Sequence, residues 1–260
     1  MNRNGTYPSH AIVLRTRNLG EKDRIMTLLS PEGKFCAVAK GARATKSKLS
    51  AVSQPFVRAR FLVARGRSLD IASQAEIEDA HIAISADLKR TAWASYLCEL
   101  CDQLPEHQPE AEVFELLCAA LGHLALREGD ELALVGHWFQ AHFLSILGYA
   151  PTIGICVANG EKIILAPDDD DAKIAFSPVM GGTLCSGCAS RDPQRQTLSA
   201  GVLRALHNLT RAPVPPTGET LELTTAARRD LRDCLRRLLA VHLGARLKSQ
   251  KFLDDVLTPG

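Results

Sequence analysis

Arg24-Ile-Met-Thr-Leu-Leu-Ser-Pro-Glu-Gly-Lys-Phe-Cys-Ala-Val-Ala39 decides how the first third of this chain folds. Arg24–Leu29 is a candidate strand, and Ser30-Pro-Glu-Gly33 sets Pro and Gly where a tight turn wants them. Lys34–Ala39 then alternates as the return strand of a hairpin. Upstream, Ala11-Ile-Val-Leu14 is another short β-branched run. Downstream, Pro55–Val63 sets Phe56 and Val57 against Arg58 and Arg60, one apolar face and one cationic face. Ala64–Ser68 turns the chain, and Leu69–Ile77 supplies a last strand. Five strands in a segment this short suit a small, partly closed barrel better than an open sheet with bare edges. A cationic face with basic loops fits the OB-fold pattern for single strands, although SH3-like barrels share the strand count.

Charge points the same way. Between Glu32 and Asp70 there is no acidic residue, yet the 37 positions carry nine cations: Lys34, Lys40, Arg43, Lys46, Lys48, Arg58, Arg60, Arg65 and Arg67. Such a run needs water or an anionic partner. Its densest part, Lys40-Gly-Ala-Arg-Ala-Thr-Lys-Ser-Lys48, separates cations with small residues and reads as a mobile basic loop. Residues 1–80 carry a balance of +7 and residues 81–260 one of −5, which suggests parts with different partners. Nucleic-acid backbone is the leading partner, with Lys40, Arg43, Lys46 and Lys48 as loop contacts and Arg15 and Arg58 as weaker ones on the barrel. Tyr7, Phe35, Phe56 and Phe61 are the only aromatics there, and most should be core, so binding should lean on phosphates and tolerate any sequence.

No segment reaches the ~20 apolar residues of a membrane helix, and the first eight residues lack the apolar core of a secretory signal. Eight cysteines in 260 residues do not resemble a disulfide framework, so a cytosolic protein is expected.

From about Ser85 the period becomes helical. Ile84, Leu88, Trp93, Tyr96, Leu97, Leu100 and Leu104 form one apolar stripe, ending at Pro105. A second helix runs from Pro109 to a Gly129 stop, and a third from an Asp130 N-cap to Gly148. Two more are expected near Leu198–Leu209 and Thr225–Arg246, the last with Arg228, Arg232 and Arg236 at every fourth position and Arg229 and Arg237 beside them. Cys98-Glu-Leu-Cys101 falls within the first helix, which makes it core and not a redox motif. The fold class is α+β, and four segments follow: a barrel over 1–80, a helical bundle over 81–150, a cysteine-containing knuckle-like insertion over 151–195 and completing helices over 196–260.

That insertion holds Ile155-Cys-Val-Ala-Asn-Gly160 and Gly181-Gly-Thr-Leu-Cys-Ser-Gly-Cys188. Cys-x-x-Cys in a glycine-rich turn is typical of a zinc knuckle. Cys156, Cys185 and Cys188 are three candidate ligands, and the fourth is missing where Asn159 stands. No His-x-Glu or Cys-x-Glu supplies the acid-base group of a zinc deaminase. There is no phosphate-binding Gly-x-x-x-x-Gly-Lys-Ser/Thr loop either, so no nucleotide is expected.

Ala11–Arg17, Gly20–Arg24, Ala39–Arg43, Gln54-Pro-Phe56, Leu147–Pro151, Phe176–Cys185 and Leu243–Ser249 resemble, in order, the motifs of the bacterial RecO family. The resemblance implies an OB-fold followed by a helical domain with a zinc-knuckle-like insertion. It implies a non-enzymatic, monomeric, nucleoid-associated protein of the RecF pathway. Such a protein binds single- and double-stranded DNA, anneals complementary strands coated with single-strand-binding protein (SSB), and with RecR helps load RecA. A general RNA- or ribosome-associated OB protein is the alternative, and it would prefer structured RNA.

Overall fold

In the computed structural model, which describes residues 5–44, 47–165, 169–244 and 247–257, the elements in chain order are β1 (Thr6–Leu19), β2 (Asp23–Ser30), β3 (Gly33–Ala39), α1 (Lys48–Val52), β4 (Arg58–Ala64) and β5 (Asp70–Asp79). Then come α2 (Ile82–Ser85), α3 (Leu88–Asp102), α4 (Ala111–Leu126), α5 (Glu131–Ile146), β6 (Lys173–Ser177), β7 (Gly182–Leu184), β8 (Gln196–Ser199), α6 (Ala200–Leu209), α7 (Thr225–Leu243) and α8 (Lys248–Leu257).

β1 extends well past the predicted Ala11–Leu14, and its extra length closes the barrel. Thr6–Ile12 pair antiparallel with β4, and Ile12–Leu19 pair with β2. The register shifts between Val13 and Arg15, as a bulge does when a strand must bend between two partners. A parallel β3–β5 contact completes the order β1-β2-β3-β5-β4, a closed five-stranded OB-fold barrel. Ala11, Val13, Met26, Leu28, Phe35, Ala37, Phe61 and Val63 alternate inward, and α1 adds Val52 to their core.

The hairpin lies where the sequence placed it. Ser30 Oγ donates to the Gly33 carbonyl at 3.0 Å, and the segment before α4 packs over the turn through Glu110 N to Pro31 O at 3.1 Å. Gly33 has φ +120°, and a Cβ there would meet the Gln108 carbonyl oxygen at 2.2 Å, so only glycine fits.

Among the described residues, packing gathers into two compact units: one up to Arg127 with the segment from Leu247 onward, the other from Glu128 to Gly244. In the first, α3 buries Trp93, Tyr96, Leu97 and Leu100, but Leu88 of the predicted stripe is 63 % exposed. Leu88 opens the helix, directly after the Asp87 cap that accepts from Arg90 N, before the stripe turns inward. Cys98 and Cys101 are both buried, and burial pushes their thiols up, as expected for core packing. α8, unforeseen in the sequence, is held by Glu99, whose carboxylate accepts from Lys248 N at 3.0 Å and Ser249 N at 2.7 Å.

In the second unit, α5 starts after Asp130 as expected, but that carboxylate pairs with Arg228 at 2.5 Å and makes no side-chain cap. The predicted Leu198–Leu209 helix begins at Ala200, because Gln196–Ser199 join a small sheet of order β7-β6-β8 that the sequence did not announce. α7 runs to Leu243 and stops at Gly244, whose φ is +61°.

His137 on α5 is buried, and its imidazole is held down to about 3, first by burial and then by the Arg236 and Arg232 charges. The unfolded chain binds that proton near pH 6.5, so this contribution to stability is full above that pH and drains away as pH falls toward 3. His137→Gln is therefore expected to flatten the loss of unfolding free energy between pH 6 and 4 by up to about 1.4 kcal/mol per pH unit. Equal slopes in acid-dependent denaturant melts would contradict a buried neutral imidazole.

Candidate nucleic-acid interface

The first part of the basic loop, residues 41–43, is bonded to its neighbour in the chain's barrel. Gly41 N donates to Asp23 Oδ1 at 2.7 Å, Arg43 N to Lys22 O at 2.9 Å and Arg43 Nη1 to Gly20 O at 2.7 Å. These bonds lash it to the β1–β2 turn, and Ala42 is wholly buried in the barrel core. Ser47 caps α1 by accepting from Leu49 N, and Arg24 Nη1 donates to Ser53 Oγ at 3.0 Å, holding α1 against β2.

Two adjoining segments therefore carry exposed cations: Lys40, Arg43 and Lys48 on one, Lys22 on the other. Lys46 lies outside the described residues. Lys22 escaped the sequence reading because it precedes the acid-free run and sits between Glu21 and Asp23. Asp23, however, spends its carboxylate on Gly41 N.

Several cations of the barrel wall face acids. Arg58 and Arg60 sit on β4, whose register places Arg58 opposite Asp79 and Arg60 opposite Glu76. Glu78 collects His10 Nδ1 at 2.7 Å, Arg58 at 3.6 Å and Arg60 at 3.9 Å. The Cys118 thiol of α4 also lies beside Arg58, and its charge would hold the guanidinium protonated. The cationic face read from β4 alone is thus offset by acids that lie far along the chain and adjacent in the sheet. Arg15 pairs with Asp102 at 2.5 Å, and the buried Lys34 reaches the same carboxylate at 3.3 Å. Arg15 and Asp102 line a groove of about 740 Å³ together with Leu14, Phe56, Ser95, Glu99 and Lys248, so charges of both signs share it.

No aromatic of the barrel offers a bare stacking face. Phe35, Phe56 and Phe61 are buried, and Tyr7 is covered by Arg65, whose guanidinium lies 5.0 Å from the ring centroid. On α7, Arg228 and Arg232 are half-buried and paired with Asp130 and Asp233, while Arg229 and Arg237 are exposed.

The three cysteines of the insertion do converge. The sulfurs of Cys156, Cys185 and Cys188 all lie within 4.8 Å of one another. Burial would raise the Cys156 thiol, but the backbone amides of Cys185, Ala158 and Asn159 point at it and bring it down to about 7. Burial, Glu161 and the neighbouring thiols push Cys185 up to about 11. Sulfurs gathered this way, with amides aimed at one of them, can hold a thiophilic metal ion. Asn159 turns its Nδ2 toward Cys185 Sγ at 3.6 Å.

Residues 1–81 match the family described as Recombination protein O N terminal, and residues 85–251 the one described as Recombination protein O C terminal. The chain is similar to the DNA repair protein RecO of Desulforudis audaxviator, 34 % identical with 95 % of this chain and 96 % of the relative covered. It is also similar to the proteins of that name from Bacillus pumilus, 32 % identical over 95 % and 93 %, and from Synechococcus elongatus, 36 % identical over 97 % and 96 %.

The two kinds of cation are separable by experiment. Arg58→Ala is expected to cost about 1–2 kcal/mol of stability through its lost partners and to leave single-strand affinity unchanged. Lys40→Ala is expected to leave stability within about 0.5 kcal/mol and to weaken binding severalfold. Thermal melts and fluorescence anisotropy with an oligonucleotide decide it, and a reversed pattern would place the interface on the barrel wall.

Proposed function

The chain belongs to the RecO family, and from that premise we propose that it is a DNA-repair and recombination mediator of the RecF pathway that holds DNA by its phosphates. It binds single- and double-stranded DNA, anneals complementary strands while they carry SSB, and with RecR helps RecA displace SSB from gaps. The observation that carries this reading is the exposed group Lys22, Lys40, Arg43 and Lys48 on two segments bonded to each other, on a barrel whose aromatics are buried or covered. Lys46 belongs to the same run by sequence.

Such a surface grips backbones and leaves base edges free. Annealing needs that combination, since two strands must approach with their phosphate repulsion reduced and their bases available to pair. None of these steps makes or breaks a covalent bond, so the role needs no catalytic group. Arg229 and Arg237 on α7 suit the acidic, hydrophobic tail of SSB. Among the described residues no helix is long and apolar enough to cross a membrane, and we place the working protein in the cytoplasm on the nucleoid.

Cys156, Cys185 and Cys188 suit zinc. The ion would act structurally, tying the 156–161 turn to the 185–188 turn.

If the five cations each neutralise one phosphate, log affinity for single strands should fall with log salt at a slope near −3.5. Replacing Lys40, Lys46 and Lys48 with alanine leaves about two contacts and a slope near −1.4. Arg43 is kept, because its guanidinium also supports the Gly20 turn. An unchanged slope, or tighter binding to structured RNA than to single-stranded DNA, would contradict the proposal.

A further inference from the structure

We infer that Cys156 and Cys185 form a reversible disulfide when the metal-free chain meets hydrogen peroxide, which makes the two turns of the insertion a thiol-oxidation site.

The geometry supplies the pair. The sulfurs of Cys156, Cys185 and Cys188 all lie within 4.8 Å of one another. The two turns that carry them are already joined through the backbone. Val157 N donates to Thr183 O at 3.0 Å, and Thr183 Oγ1 donates to Ile155 O at 2.9 Å. Cys156 is thus bracketed by bonds to Thr183, which stands two positions before Cys185. Cys156 and Cys188 are 1 % and 5 % exposed, whereas Cys185 is half-buried and opens the cluster to a small oxidant. Asn159 Nδ2 donates to Cys185 Sγ at 3.6 Å and keeps that sulfur beside the 156–161 turn. Cys98, Cys101 and Cys234, by contrast, are shut inside α3 and α7.

The chemistry balances with peroxide alone. One sulfur of the pair attacks the peroxide, the O–O bond breaks, and a sulfenic acid and one water result. The other sulfur attacks the sulfenic sulfur, the S–S bond forms, the S–O bond breaks, and a second water leaves. Two thiols are oxidised and one peroxide is reduced. An odd number of cysteines matters here. A bond between two of them leaves Cys188 as a thiol within reach of both sulfurs, able to attack the finished bond. Small thiols from solvent return the pair to its reduced state by the same exchange. That suits a reducing compartment, where a disulfide is a transient response and not a staple.

The test treats the reduced full chain, held in a chelator, with one equivalent of hydrogen peroxide, then blocks the remaining thiols and maps tryptic peptides by mass spectrometry. Trypsin releases Cys156 in the 128–162 peptide and Cys185 with Cys188 in the 174–191 peptide. Wild-type protein is expected to give these two peptides joined, and dithiothreitol to separate them and restore both thiols. Cys188→Ser is expected to keep the link. Loss of the link in Cys188→Ser would overturn the pairing. So would wild-type protein in which oxidation stays within the 174–191 peptide, as a Cys185–Cys188 bond or a sulfinic acid. Because the chelator is present throughout, the outcome is separate from the zinc reading: a chain that binds zinc but never links these peptides fails here alone.

Discussion

Barrel closure by β1 is the constraint on which the rest of the first unit depends. One strand must satisfy β4 with its first half and β2 with its second, and it can do so only by bending at the Val13–Arg15 bulge. That bend sets the course of the β1–β2 turn, and this turn supplies Asp23, Lys22 and Gly20 to the segment after β3. Exposed Arg43 and Lys22 are therefore held by bonds between two neighbouring turns. Residues tied to a neighbouring turn in this way have already lost the conformational freedom that a free loop would give up on meeting a partner.

The same closure removes other cations from consideration. Strand β5 returns beside β4 and lays Glu76, Glu78 and Asp79 opposite Arg58 and Arg60. Coulomb attraction between the partly buried Arg58 and Glu78 is only weakly screened, so Arg58 is engaged before any ligand arrives, whereas Arg60 is exposed and lies 3.9 Å from the same carboxylate. Within the 37-residue run without acid, Arg58 and Arg60 thus lie against the acids of β5, whereas Lys40, Arg43 and Lys48 face solvent.

Much of the barrel was legible because each hairpin strand alternates and the turn is spelled by Pro and Gly. The ends of β1 were not, since Thr6–His10 and Arg15–Leu19 are polar outward and take their strand character from two partners. β7 and β8 are three and four residues long, too short to show a period, and α8 is held by Glu99 from 149 residues away. The cysteine triad was readable from spacing. Lys22 was hidden by flanking acids, one of which serves a backbone amide.

The most direct test of the proposed mediator role is nucleotide-free annealing of complementary DNA strands already coated with cognate SSB. The protein is expected to accelerate pairing of the coated strands, and replacing Lys40, Lys46 and Lys48 together is expected to abolish most of the acceleration while the fold is retained. Wild-type protein that binds DNA yet leaves the annealing rate of coated strands unchanged would contradict it.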